Sequence, residues 1–256
     1  MRALLAIPCY NCEKQIKRVI AGFNRELASR LEKIVVIDNR SSDSTVNSAI
    51  AAVKASGLNN IEVISNSENY GLGGTHKVAF LYAERLGMDY VGILHGDNQA
   101  KTEELFILLD EAENNPRIAA ILGSRFMSGS RLDGYSPLRI WGNRGLNILY
   151  AFITLRKTMD IGSGLNLFRI KDILDRRYLG FSDGFTFNID LLLDYYKKGS
   201  KIKFIPITWT ESDQVSNAKT FAVGWIALKT VLRWRFLQPL TIEKKEDDYS
   251  FQKVYV

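Results

Sequence analysis

The stretch ALLAIPCYNCEKQIKRVIAGFNRELASRLEKIVVID, residues 3–38, reads as strand, helix, strand. Residues 3–8 are an apolar run of strand length. Ile16, Val19, Ile20, Phe23, Leu27 and Leu31 then recur at helical spacing, and residues 34–38 form a β-branched run ending in an acid, Asp38. The rhythm continues outward. Ser42 and Ser44 supply cap residues for a helix carrying Val46, Ala49, Ile50 and Val53, and residues 61–65 read as a third strand. A glycine loop at residues 69–74 leads into a helix through Leu86. Residues 90–94 make a fourth strand, residues 102–114 a helix closed by Pro116, and residues 118–124 a fifth strand. Strands alternating with helices predict an α/β fold: a mostly parallel central sheet with helices on both faces.

Beyond Arg125 the alternation breaks. Residues 126–137 are rich in Gly and Ser and carry no period, a loop long enough to be functional. Residues 139–155 read as a helix, 164–169 as a strand, 187–198 as a helix and 201–207 as a further strand. Thr220–Phe236 is compatible with an amphipathic helix, with Trp225, Trp234 and Phe236 beside Lys229, Arg233 and Arg235. Residues 243–256 read as a mobile tail.

The 256 residues, 46% hydrophobic and 24% charged, have the composition of a globular chain, which excludes a disordered, collagen-like or coiled-coil protein. Uncharged apolar runs fall well short of the roughly 18 residues of a membrane span. The N-terminal apolar stretch runs into Pro8 too early for a signal peptide, so a cytosolic protein is expected. A formal charge of +6 favours an anionic partner, but the basic residues do not interleave with aromatics as in an RNA-binding sheet, and nucleic acid is not expected. Cys9 and Cys12 form a lone C-x-x-C with no second pair to complete a zinc site, and read as two small thiols at a strand-to-helix junction.

Ligands of such a sheet bind beyond the carboxyl ends of its strands. Polar residues gather there: Pro8 to Asn11, Asp38-Asn39, Asn66 with the glycine loop, and His95-Gly96-Asp97. Asp38 is either a turn-forming acid or an acceptor for a ribose hydroxyl or a base N–H. Gly71, Gly73 and Gly74 would let backbone approach a phosphate, but their order is not the dinucleotide fingerprint, which disfavours NAD. Asp97 with Gln99 offers oxygen ligands for Mg²⁺ or Mn²⁺, provided that a diphosphate supplies the rest.

These residues carry a resemblance. Ile7 to Asn11 with Glu13, and Val35 to Thr45, are similar to the opening of the family-two glycosyltransferases of the GT-A (Rossmann-like) fold. Asn69 to Gly74, Gly96 to Gln99 and Gly123 to Phe126 follow in that family's order. Asp160 to Gly164 and Phe187 to Leu191 resemble second-half motifs of dolichyl- and polyprenyl-phosphate sugar synthases. The likeness spans residues 4–219. It implies an inverting, metal-dependent transfer of a sugar from a nucleotide-diphosphate donor to a polyprenyl phosphate or a lipid-linked or envelope glycan. Residues 1–125 would bind the nucleotide sugar and residues 126–219 the acceptor. Residues 220–236 would bring the enzyme to an anionic membrane surface at its cytosolic face. By resemblance Pro8, Tyr10, Asn11, Glu13 and Asp38 frame the donor nucleoside, with Gly71, Gly74 and Lys219 toward its diphosphate. Asp97 and Gln99 hold the metal, Arg125, Arg139 and Ser163 meet an acceptor phosphate or the leaving diphosphate, and Asp190 is the catalytic base.

The chain departs from the pattern at His95, which replaces the first acid of D-x-D yet could still ligate Mn²⁺ through one nitrogen. It departs again at Asn39-Arg40 and at Asn143, where the polyprenyl-phosphate enzymes tend to carry Ser. A hydroxyl acceptor must lose a proton to a base such as Asp190; a phosphate acceptor is already ionised. Two rivals follow. One is a sugar nucleotidyltransferase, which wants a glycine-rich basic loop after the first strand; the other is a non-catalytic nucleotide-sugar-binding subunit, suggested by His95.

Overall fold

Successive residues of the first strand, β1 (Ala3–Cys9), turn to opposite faces, and both faces are buried. Leu4 and Ala6 pack with Val35 and Ile37 in one core; Ala3, Leu5 and Ile7 pack with Ile34 and Val36 in the other. A strand apolar on both sides needs a layer of helices on each, which is what the chain builds.

The computed structural model describes residues 1–211, 220–237 and 243–256. After β1 come α1 (Ile16–Ala21), α2 (Arg25–Ser29), β2 (Lys33–Asp38), α3 (Thr45–Ser56), β3 (Ile61–Asn66), α4 (Gly71–Arg85), β4 (Tyr90–Leu94), α5 (Leu105–Asn114) and β5 (Ala120–Ser124). The second half adds β6 (Arg131–Asp133), α6 (Pro137–Thr154), β7 (Leu165–Arg169), α7 (Phe187–Lys197), β8 (Ile202–Pro206), β9 (Thr208–Thr210), α8 (Thr220–Phe236) and β10 (Phe251–Tyr255). The main sheet runs β10-β3-β2-β1-β4-β7-β5-β8, with β3, β2, β1 and β4 parallel and β7 and β10 antiparallel to their neighbours. β6 and β9 form a separate parallel pair.

Three expectations change. The helix expected over Ile16 to Leu31 is two, because the chain breaks at Gly22 and restarts where the Asn24 side chain caps α2 by accepting the Leu27 amide at 2.7 Å. The glycine loop is largely helix: Gly71 opens α4, and the Gly73 and Gly74 amides donate to the Asp183 carbonyl, at 2.8 and 3.3 Å. A Cβ on Gly73 would lie 2.4 Å from the Ser182 carbonyl oxygen, so this turn packs against the chain instead of opening to a ligand. The expected mobile tail is anchored: β10 pairs with β3, and Tyr249 is buried.

Candidate active site

β1 lies between β2 and β4, where the order of strands reverses and a crevice opens at their carboxyl ends. The loops after β1 and β2 interlock there. Asn11, in the left-handed region at φ 54°, donates its amide to Ser41 Oγ at 3.0 Å and accepts the Ser42 amide at 2.9 Å. The Cys12 amide donates to Thr45 Oγ1 at 2.8 Å, and the Glu13 amide to Asp43 at 3.2 Å. Asn11 and Glu13 are thereby tied to the loop that follows Asp38, and the neighbouring Tyr10 is exposed. Pro8 enters through its carbonyl, which accepts the Gly96 amide at 2.9 Å and fixes the turn after β4. Asp38 is buried and accepts the Ser41 amide (3.2 Å) and the Ser65 hydroxyl (2.9 Å). Those bonds shape the turn, and a carboxylate has lone pairs left for a further donor.

Gly71 and Gly74 do not offer free amides: the first donates to Asn69 Oδ1 at 3.0 Å, the second to the Asp183 carbonyl. Their expected approach to a phosphate is corrected to a packing role. Cys9 and Cys12 are free and buried, and burial with the neighbouring Cys12 pushes the Cys9 thiol well up, which keeps it protonated.

At the turn after β4, Asp97 accepts the Gln99 amide at 3.2 Å, and the Gln99 carbonyl accepts the Thr210 amide at 2.8 Å, tying the turn to β9. Burial pushes the Asp97 carboxyl above its ordinary range, against the pull of the Gln99 amide and of Arg125. An acid short of positive charge suits a cation delivered with a diphosphate. Asp97 and Gln99 would supply protein oxygens, since among the described residues no group of three His, Cys, Asp or Glu could hold a metal alone. His95, the third candidate for the metal, is held inside the fold. Its Nε2 lies 3.3 Å from Nε2 of the buried His76, and its Nδ1 would lie 2.8 Å from a Cβ on Gly164. Burial lowers both imidazole pKa values, so the neutral rings share one N–H···N contact.

Arg125 is partly buried and bidentate to Asp160, Nε to Oδ2 and Nη2 to Oδ1, both at 2.8 Å, and its guanidinium lies over Trp209. Asp160 also accepts the amides of Arg125 and Gly162. Arg139, on the first turn of α6, donates through Nη1 to Glu211 at 2.6 Å. Ser163 is buried with its hydroxyl accepting the Leu165 amide at 3.2 Å, so the expected contact with an acceptor is corrected to a cap on β7. Asp190, on the first turn of α7, accepts the Ser182 amide at 3.2 Å. Burial pushes its carboxyl up to about 6 despite the nearby Lys77. Lys219 lies outside the described residues.

Sequence reading gave no role to His76, Asp160, Lys77 or Glu211. Asp160 stood inside a quoted motif, but only the fold pairs it with Arg125. Lys77 is wholly buried and bonds the Asp183 carboxylate, the carbonyls of Leu179 and Phe181 and the Tyr249 hydroxyl, a set drawn from two distant segments, residues 179–183 and the C-terminal stretch.

Solved structures share this architecture. Glucosyl-3-phosphoglycerate synthase from Mycobacterium tuberculosis, solved with Mn²⁺, uridine diphosphate and phosphoglyceric acid, aligns with a TM-score of 0.69 at 17% identity, covering 100% of this chain and 87% of that one. The fold is thus that of the GT-A glycosyltransferases. The family model for glycosyl transferase family 2 matches residues 5–176, and the chain belongs to that family. Among curated relatives, polyprenol monophosphomannose synthase of Mycolicibacterium smegmatis is 27% identical over 83% of this chain and 78% of its own length. Undecaprenyl-phosphate mannosyltransferase of Micrococcus luteus is 25% identical over 91% of this chain and 94% of its own length. The chain is a glycosyltransferase, and neither rival class is needed.

Proposed function

We propose that this enzyme moves a sugar from a nucleotide-diphosphate donor to a polyprenyl phosphate at the cytosolic face of a membrane. The observation that carries the reading is the junction of the Arg125–Arg139 cluster with an apolar helix. Arg139 opens α6, and Leu138, Trp141, Ile148, Phe152 and Leu155 form an outward stripe along it, each at least 70% exposed. Arg144, Arg156 and Lys157 are exposed beside that stripe. α8 packs alongside, the Tyr150 hydroxyl donating to the Ala227 carbonyl at 2.5 Å, and it adds exposed Trp225, Lys229, Leu232 and Phe236. Phosphate recognition at the foot of an apolar, basic-edged surface fits an amphiphile whose headgroup is a phosphate and whose tail lies in a bilayer. Among the described residues no helix is long and apolar enough to cross one. The named substrates of the curated relatives support the same acceptor.

In this reading Asp38, Tyr10 and Glu13 frame the nucleoside. Asp97 and Gln99 would hold Mg²⁺ or Mn²⁺, which would supply positive charge against the leaving diphosphate. Arg125 and Arg139 orient the acceptor phosphate, whose oxygen attacks in a single displacement and inverts the anomeric carbon. No base is needed, so Asp190 only positions. A second reading, a hydroxyl acceptor, draws on Asp190 itself, whose raised pKa is poised for a general base. Kinetics separate the two. A phosphate acceptor predicts that Arg139→Ala damages turnover more than Asp190→Asn. A loss of order 10²–10⁴ confined to Asp190→Asn marks a hydroxyl acceptor.

A further inference from the structure

The two arginines assigned to the acceptor are both paired with carboxylates, yet the pairs are built differently. Asp160 is fixed. It takes Arg125 bidentately and two backbone amides, and its side chain is 1% exposed. Glu211 holds Arg139 by a single contact of 2.6 Å, with side-chain exposures of 15% and 26%. The remaining groups of Arg139 are only partly satisfied. Nη2 donates to the Tyr135 hydroxyl at 3.3 Å, the guanidinium lies 4.3 Å from the Tyr135 ring centre, and the buried Nε has no partner among the described residues. With both acids in place the two guanidiniums and two carboxylates cancel, so the cluster offers an incoming phosphate no net positive charge.

Resting on the phosphate-acceptor reading, we propose that Glu211 is an exchangeable counter-ion: it occupies Arg139 until an acceptor phosphate displaces it. Glu211 then acts on specificity. A phosphate replaces one anion with another on Nη1; a neutral hydroxyl cannot compete for Arg139. Arg125, locked by Asp160, keeps the pocket's shape throughout. The backbone of Glu211 is anchored separately, its amide donating to the Asp133 carbonyl at 2.8 Å, so releasing the side chain from Arg139 does not require the strand pair to open.

The test is calorimetric binding of inorganic phosphate to the full chain, as parent, Glu211→Gln, Arg139→Gln and the double variant, with thermal melts alongside. Removing a partly exposed competitor is expected to tighten phosphate binding about fivefold in Glu211→Gln, and the gain should vanish in the double variant. Glu211→Asp, which keeps the charge, should stay near the parent and covers the case in which Glu211→Gln folds poorly. If Glu211→Gln binds phosphate no better while Arg139→Gln weakens it, Glu211 is a structural partner and the proposal fails, with the acceptor reading intact. If Arg139→Gln leaves phosphate binding unchanged, both fall together.

Discussion

At Asp190, burial raises the carboxyl to about 6, and the same burial leaves a signature in stability. The folded chain holds this proton more tightly than the unfolded one, so the residue favours folding below the ordinary carboxylate range of about 4. That contribution is lost as pH rises toward 6. Asp190→Asn is therefore expected to raise the melting temperature at pH 7 and to leave it unchanged at pH 4; equal effects at both values would contradict a raised pKa. Asp97 is the residue on which metal dependence turns. Asp97→Asn should abolish the stimulation of transfer by Mn²⁺ without lowering the melting temperature, as read from a metal titration of activity. Asp97 was legible because a turn after a strand announces its position. The fate of its neighbour was not, since nothing near His95 in sequence reveals His76, nineteen positions earlier on α4, as the ring that occupies Nε2.

At the scale of elements, α6 is the informative case. Its buried side, Asn147, Tyr150 and Thr154, is more polar than its exposed side, the reverse of an ordinary surface helix. Periodicity alone announces a helix over these residues and cannot say which face is covered. The aromatic and basic pattern of residues 220–236 marks the α8 part of the surface and leaves the α6 part unannounced. Replacing Trp141 and Phe152 with Ser is expected to weaken co-flotation with anionic vesicles by about tenfold or more, since each large apolar side chain contributes about 1.5–3 kcal/mol on burial. The melting temperature should not fall, because both side chains face solvent. Vesicle binding unaffected by this pair would move the membrane contact elsewhere.

At the scale of the whole molecule, chain order and strand order diverge. The run at residues 34–37 is apolar on both faces and, with the strand-length runs at 61–65 and 90–94, identifies the parallel half of the sheet from sequence. The insertion of β7 between β4 and β5, and the return of β10 to β3, depend on contacts between distant segments. Lys77, Asp183 and Tyr249 form one such contact, joining α4, the loop before α7 and the C-terminal strap. Tyr249→Phe leaves a buried ammonium and a carboxylate short of one partner, at about 1–3 kcal/mol. A fall of several degrees in the melting temperature is expected. The central claim, sugar transfer to a phosphate carried on a lipid, is tested most directly by one comparison. The purified enzyme, Mn²⁺ and a panel of radiolabelled nucleotide-diphosphate sugars are incubated with vesicles holding either polyprenyl phosphate or the matching polyprenol. Label is expected in the lipid phase with polyprenyl phosphate alone; label on the polyprenol, or transfer only to water-soluble hydroxyl acceptors, would contradict it.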